Sequence, residues 1–364
     1  MLRFECDYAE GAHPRILEAL LKTNRDQTPG YGLDAFCESA RKIIGVACGN
    51  SKMDIHFLPG GTQANATVIA SILRPHQAVI CAETGHIAGH ESGAIEATGH
   101  KVITLPTQDG KISAKQVRQV VMEHWNDATH EHMPQPAMVY ISHPTETGLI
   151  YSKQELSELS IACRERRIPL YLDGARLGYA LAAEGNDVFM ADFAKYCDVF
   201  YIGGTKVGAM FGEAVCIVNE KYKDDFRYHI KQHGGLMAKG RFLGIQFDTL
   251  FRDGLYLEIS KNAVEQAMRI KEAFKNMGCE FLYDSPTNQQ FPIINRTVYN
   301  ELSKLYTFTT WEKLPDEHFA VRFCTSWATK EENVDTLISD IKRLCKIYGD
   351  SPSQNARETG AAAQ

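Results

Sequence analysis

No stretch of the 364-residue chain approaches the ~20 consecutive apolar residues that a membrane-crossing helix requires. Met1–Ala9, interrupted by Arg3, Glu5 and Asp7, lacks the apolar core of a secretory leader. Basic residues are too few and too scattered for a nucleic-acid binder: 39 Lys and Arg against 45 Asp and Glu leave a net charge of −6 and no basic cluster. The 10 cysteines never fall at a CxxC or other short zinc spacing, and the closest two, Cys37 and Cys48, are 11 positions apart. A zinc ribbon is thereby excluded, and reduced, mostly buried thiols of a cytoplasmic protein are expected rather than a disulfide framework. Neither GxGxxG nor GxxxxGK[ST] occurs, so dinucleotide and nucleoside-triphosphate readings lose their support. Internal repeats are lacking too.

What is present is an ordinary globular composition, 44% hydrophobic and 23% charged, in a chain long enough for a large domain and a smaller companion. From Asp54 onward, short runs rich in β-branched residues alternate with helical patterns, the signature of βα units on a largely parallel sheet. Seven strands are expected, at 54–58, 78–82, 101–105, 137–142, 169–172, 198–202 and 213–218. The last follows its predecessor through a turn too short for a parallel crossover, which predicts an antiparallel neighbour. Helices are expected at 62–73, 86–98, 113–126, 153–166 and 188–196, and 123–136 reads as a polar surface loop overlapping the end of the third. Past residue 240 the pattern changes to a long helical stretch, 242–277, then short runs at 281–283, 290–294, 307–311 and 319–323, then a closing helix, 330–348. We expect residues 1–240 to form the large α/β domain, 241–348 a smaller α+β domain with antiparallel strands, and 349–364, poor in large apolar side chains, a disordered tail.

Three short segments carry chemistry. Gly60-Gly61-Thr62 joins the first expected strand to a helix, where small residues let backbone N–H groups and a hydroxyl converge on an anion, although such a turn can equally be a plain helix start. Asp173-Gly174-Ala175-Arg176 places a carboxylate and a guanidinium at the carboxyl end of a strand, where α/β ligand sites lie and where a buried salt bridge is the other reading. Gly203-Gly204-Thr205-Lys206-Val207-Gly208 embeds a lysine among glycines at another strand end, which packing explains poorly and which suits a Schiff-base former or a phosphate ligand. A phosphate cradle, a strand-end Asp and a strand-end Lys 33 positions later are together what pyridoxal 5′-phosphate needs. His86, His90 and Glu91 could mimic a metal face, but HExxH is absent and no third ligand is evident, so no metal is expected. Trp311 and Trp327 are read as small-domain core.

Taken in order, Gly60-Gly61-Thr62-Gln63-Ala64-Asn65, Gly85-His86 with Glu91 and Gly93, Asp173-Gly174-Ala175-Arg176 and Gly204-Thr205-Lys206 resemble the threonine aldolase branch of the fold-type-I pyridoxal-phosphate enzymes, also grouped as β-eliminating lyases. The opening Asp7-Tyr8 with Glu10-Gly11-Ala12-His13-Pro14 is similar to that of the bacterial low-specificity members, and the likeness runs over residues 4–348. The resemblance implies a lyase that cleaves threonine, allo-threonine or a related β-hydroxy-α-amino acid to glycine and an aldehyde. The alternative within the same family is a β-elimination giving pyruvate and ammonia; a non-catalytic cofactor-binding protein is disfavoured by the joint presence of Lys206, Asp173 and Arg176. It further implies Lys206 as the Schiff-base lysine, Asp173 as partner of the ring nitrogen, and Gly61, Thr62 and Thr205 as phosphate contacts. His86 would lie over the ring, near the bond broken. Arg176 and Arg322 would hold the substrate carboxylate with Cys6 nearby. Tyr31, in Pro29-Gly30-Tyr31-Gly32, and Lys239, in 234–240, would reach the neighbouring subunit's site in a homodimer or homotetramer. Three positions depart from the family pattern: Gly60 where a Ser is usual, Cys6 where Ser or Asn is common, and Ala238 in place of an Arg.

Overall fold

In a computed structural model the structure describes residues 1–349. The expectation for 349–364 therefore falls, Gly349 apart, outside the described residues. The chain divides into two compact units, Gly11–Ser260 and a second made of Met1–Glu10 with Lys261 onward, where the sequence suggested a boundary near 240.

The larger unit is built on one seven-stranded sheet in the order Asp54–Leu58, Glu213–Ile217, Val199–Gly203, Leu170–Asp173, Gln135–Ser142, Gln77–Ala82, Lys101–Leu105. Every pairing is parallel except those of Glu213–Ile217, which runs antiparallel to both its neighbours. That exception follows from the short connection after Gly203: nine residues, Gly204–Gly212, cannot carry a helix back across the sheet, so the chain reverses. Leu170–Asp173, Val199–Gly203 and Glu213–Ile217 are buried at every residue, as strands covered by helices on both faces must be. The covering helices start where short polar side chains cap them: Asp34 accepts from the Cys37 N–H, and Ser113 and Ser152 form capping boxes with Gln116 and Glu155.

Two expected helices are interrupted. The 86–98 segment is two single turns, His86–Gly89 and Ala94–Ala97, because Ser92 and Gly93 take left-handed backbone angles (φ 52° and 72°) that no helix continues through. The 242–277 stretch likewise breaks into Arg241–Phe251 and Leu255–Asn276 around Asp253 and Gly254 (φ 57° and 74°). Pro14–Lys22, Ala35–Ala47 and Leu177–Ala182 are helices that the strand-centred reading passed over.

In the smaller unit His318–Cys324 pairs antiparallel with Ile293–Asn295, Thr309–Lys313 and Gln289–Gln290, and Glu331–Tyr348 packs Val334, Leu337 and Ile341 into a core with Phe4, Phe274, Val321 and Phe323. Two expectations change here. The 281–283 run makes a single bridge, Phe281 to Pro292, rather than a strand, and Leu2–Arg3 pairs parallel with Tyr306–Thr307. No helix among the described residues is long and apolar enough to cross a membrane, and none of the ten cysteines is in a disulfide.

Candidate active site

The chemistry-bearing segments of the larger unit lie at the carboxyl ends of its parallel strands. Tyr140 and Tyr171 are register partners on adjacent strands, and Asp173 and Tyr201 follow two residues beyond Tyr171 and its partner Val199. The period of two puts Tyr140, Tyr171, Asp173 and Tyr201 on one face of the sheet. Asp173, 4% exposed, accepts from the Tyr201 hydroxyl (2.5 Å) and the Ala175 N–H (2.9 Å) on Oδ1, and from the Tyr140 hydroxyl (2.7 Å) and the Asn65 amide (3.1 Å) on Oδ2. Burial, with Asp173 itself close by, pushes both phenols well above their ordinary range, so they remain donors. Four donors fill about what a carboxylate can accept; a further N–H would share an oxygen, and the Asn65 contact is the longest of the four.

Asn65, on the helix Gly61–Ile72, donates also to Oε1 of Glu91 (2.7 Å), and the same oxygen faces Nδ1 of His86 (2.8 Å). The helical turn that opens at His86 ends at Gly89, and past its non-helical C-cap, His90 (φ −123°), Glu91 lies back on His86, five residues away. With Glu91 anionic, His86 carries its proton on Nδ1 and presents Nε2 as the basic nitrogen. The His86 main-chain N–H donates to Glu146 (2.8 Å), as does the Ser142 hydroxyl (2.6 Å), so ring and backbone are tied to different carboxyls. Burial raises Glu146 above the ordinary carboxylate range.

Lys206 is half-buried in the Gly204–Gly212 turn, and its carbonyl accepts from the Tyr179 hydroxyl. Beneath the turn Glu213, 3% exposed, accepts from the Thr205 hydroxyl (2.8 Å) and the Gly204 N–H (3.1 Å). Thr205 therefore gives its one proton to Glu213 and has none for a phosphate. Burial pushes Glu213 up to about 8, against the opposing pull of the Thr205 hydroxyl, the Lys206 charge and the Gly204 N–H.

At the start of the helix Gly61–Ile72, Gly60 is extended and no side chain caps the first turn, which leaves its N–H groups facing outward beside the exposed Thr62. A Cβ on Gly60 would meet nothing within 4 Å, whereas one on Gly61 would lie 3.1 Å from the Tyr201 hydroxyl. Arg176, half-buried, precedes the helix Leu177–Ala182. The loop with Tyr31 (φ 59°) packs on the 234–240 segment: its N–H reaches the Ala238 carbonyl (3.1 Å), and its ring lies under Lys231 (5.1 Å). Lys239, on that segment, is exposed.

Cys6 and Arg322 belong to the smaller unit. There Arg322 donates to the Glu5 carbonyl (2.9 Å), next to Cys6, to Gln289 Oε1 (3.1 Å) and to the Thr309 hydroxyl (3.3 Å), and lies over Trp311 (5.5 Å). Those oxygen acceptors are neutral, so they leave the cation's charge uncancelled. Burial pushes the half-buried Cys6 thiol up. Among the described residues no cluster of three or more His, Cys, Asp or Glu could hold a metal ion.

Sequence reasoning gave no role to Glu91, Asn65, Tyr140, Tyr201, Glu146 or Glu213. The tyrosines look like ordinary strand residues, and only their alternation with Asp173 could have singled them out. Glu213 had a sharper signal, a carboxylate opening the apolar run Ala214–Ile217.

The donor set fits pyridoxal 5′-phosphate: an uncapped helix start suits its dianion, a buried carboxylate its ring nitrogen, and a lysine on a glycine-rich turn its aldehyde. Residues 27–296 match the beta-eliminating lyase family. The chain is 30% identical over 353 residues to the low specificity L-threonine aldolase of Pseudomonas sp. (strain NCIMB 10558), covering 94% of this chain and 97% of that protein. It superposes on the threonine aldolase of Leishmania major with a TM-score of 0.92 at 43% identity, covering 95% of this chain and 100% of that one. A Thermus thermophilus aspartate aminotransferase, 16% identical, shares the fold with a TM-score of 0.70 over 94% of this chain and 91% of its own.

Proposed function

Because this chain belongs to the beta-eliminating lyase family, we propose that it is a pyridoxal-phosphate-dependent aldehyde-lyase. Its substrates are L-threonine, L-allo-threonine or related β-hydroxy-α-amino acids, which it converts to glycine and an aldehyde. Lys206 would hold the cofactor through its aldehyde, Asp173 would pair with its ring nitrogen, and Gly61 and Thr62 with the open N–H groups of their helix would hold its phosphate. When bound, pyridoxal 5′-phosphate supplies the electron sink for the bond broken at Cα.

The protein's own part is positioning and proton transfer. Tyr140, Tyr201 and the Ala175 N–H donate to Asp173 and fix its carboxyl in place. Glu91 fixes the proton of His86 on Nδ1, so Nε2 takes the proton of the substrate β-hydroxyl. Arg176 and Arg322 serve the substrate carboxylate, Arg322 with neutral hydrogen-bond acceptors around it. The observation that carries the reading is the Glu91–His86 pair linked through Asn65 to Asp173: a base for a hydroxyl proton tied to the partner of the electron sink. Tyr31 and Lys239 reach a second subunit's site in a homodimer or homotetramer, and ten cysteines outside disulfides suit a reducing cytoplasm.

The test is product analysis. Purified protein reconstituted with pyridoxal 5′-phosphate should give glycine and acetaldehyde from threonine, and borohydride should label Lys206 on peptide mapping. Pyruvate and ammonia from cysteine, without glycine from threonine, would establish β-elimination instead; a label on another lysine would remove Lys206 from its role.

A further inference from the structure

Asn65, fully buried, is where two carboxylates meet. Its amide nitrogen lies 2.7 Å from Oε1 of Glu91 and 3.1 Å from Oδ2 of Asp173, so the two oxygens are at most about 5.8 Å apart. Its amide oxygen accepts from the Tyr171 hydroxyl at 2.8 Å. Carboxylates can only accept, which turns both amide hydrogens of Asn65 to Glu91 and Asp173 and leaves its oxygen to accept from the Tyr171 phenol. Two anions at that separation out of water oppose each other's charge, and a shared donor between them offsets the opposition.

Glu91 Oε1 is also the atom that faces His86 Nδ1. As an anion it accepts the Nδ1 proton and leaves Nε2 bare. Were Glu91 driven to take up a proton, it would become the donor, Nδ1 the acceptor, and the imidazole proton would move to Nε2, where it blocks base catalysis.

We propose that Asn65 is a positioning residue that lets Asp173 and Glu91 be anionic together, and thereby couples the charge on Asp173 to the tautomer of His86. The catalytic meaning of the two ends rests on the function proposed above. The coupling belongs to the protein without cofactor, and is tested there, so either idea can fail alone.

The experiment is ¹⁵N spectroscopy of histidine-labelled, cofactor-free protein, with the His86 signals assigned through His86→Gln. Wild-type protein should show His86 protonated on Nδ1. Asn65→Leu, near in volume but without the donor, should lower the Nδ1–H to Nε2–H ratio at least about tenfold, the scale on which a close like charge moves a carboxyl's protonation. Adding Asp173→Asn to Asn65→Leu should return the ratio toward wild type, since one of the opposed charges is gone although position 65 still donates nothing. If Asn65→Leu does not fold by circular dichroism, Asn65→Ser replaces it, because a single hydroxyl hydrogen serves only one carboxylate. A wild-type ratio in the folded Asn65 variant, or no recovery in the double variant, overturns the proposal.

Discussion

Glu213→Gln separates burial from the pull of the neighbouring lysine. In the folded chain burial holds the Glu213 carboxyl up at about 8, where an ordinary glutamate titrates near 4.5. Between those values the folded chain keeps a proton that the unfolded chain has already released. Unfolding therefore liberates a proton, and the stability contributed below pH 4.5 is lost as pH rises to about 8, by at most ~1.4 kcal/mol per pH unit. Over the whole window the loss is on the order of 5 kcal/mol as an upper bound. Glutamine keeps the shape and removes the titration. Its NH2 stands where protonated Glu213 has a hydroxyl oxygen that can still accept, so one of the two donors, Thr205 or Gly204, loses its acceptor, at a cost of about 1–3 kcal/mol relative to the protonated form. The variant should therefore be the less stable protein at pH 5, with the gap closing and then reversing toward pH 8. Urea unfolding of cofactor-free wild type and variant at pH 5, 6, 7 and 8 measures the difference directly. A gap constant within ~0.5 kcal/mol would show that the carboxyl titrates alike in both states. A gap that widens with pH would show that Lys206 holds Glu213 as an anion, and would refute the reasoning.

Asp173→Asn should still bind pyridoxal 5′-phosphate, seen by visible absorbance, yet lose most turnover, because an amide cannot hold a protonated ring nitrogen. Gly60→Ser, whose Cβ enters open space, should bind the cofactor as wild type does, while Gly61→Ala, pressing on the Tyr201 hydroxyl, should weaken it about tenfold by equilibrium dialysis. Arg322→Lys should raise KM for the amino acid by roughly 10- to 100-fold with a smaller change in kcat, since an ammonium cannot make the planar fork a carboxylate prefers. Lys206→Ala and a disabling Tyr31 variant, each inactive alone, should regain activity when their subunits are mixed; no recovery in verified heterodimers would confine Tyr31 to its own subunit.

The seven strands of the larger sheet were legible in the sequence because parallel strands covered on both faces read as short, nearly continuous apolar runs, and each expected strand lies within two residues of an observed boundary. The reversal at Glu213 was legible from loop length alone. The helix expected over 86–98 was not, because its apolar spacing is helical while one Ser-Gly step in left-handed geometry cancels it. In the small unit the strands are two to seven residues long, and pairing rather than propensity decides which runs become strands, so the expected run 281–283 makes only a bridge and Leu2–Arg3 went unread. At the site, glycines and charged residues picked out segments that the fold sets at the carboxyl ends of the strands. The groups behind them, Tyr140, Tyr201, Glu91 and Glu146, come from distant segments and are joined only by the fold.

The reversal that places Glu213 beneath Lys206 also governs how the lysine can move. Its turn is pinned at many points: Gly204 and Thr205 N–H groups on the Gly212 carbonyl, Ala209 on Gly204, Met210 on Gln246, His13 on the Gly208 carbonyl. The flanking strands are register-paired from Val199 with Ile217 to Gly203 with Glu213. Backbone displacement of residue 206 would have to break several of these bonds at once. The four-carbon side chain is then the moving part, and it reorients in picoseconds to nanoseconds. In the role proposed for it, a lysine that lets go of one partner and returns to it in every cycle would swing like an arm from a fixed shoulder, and the steps that depend on that swing should proceed at rates indifferent to solvent viscosity.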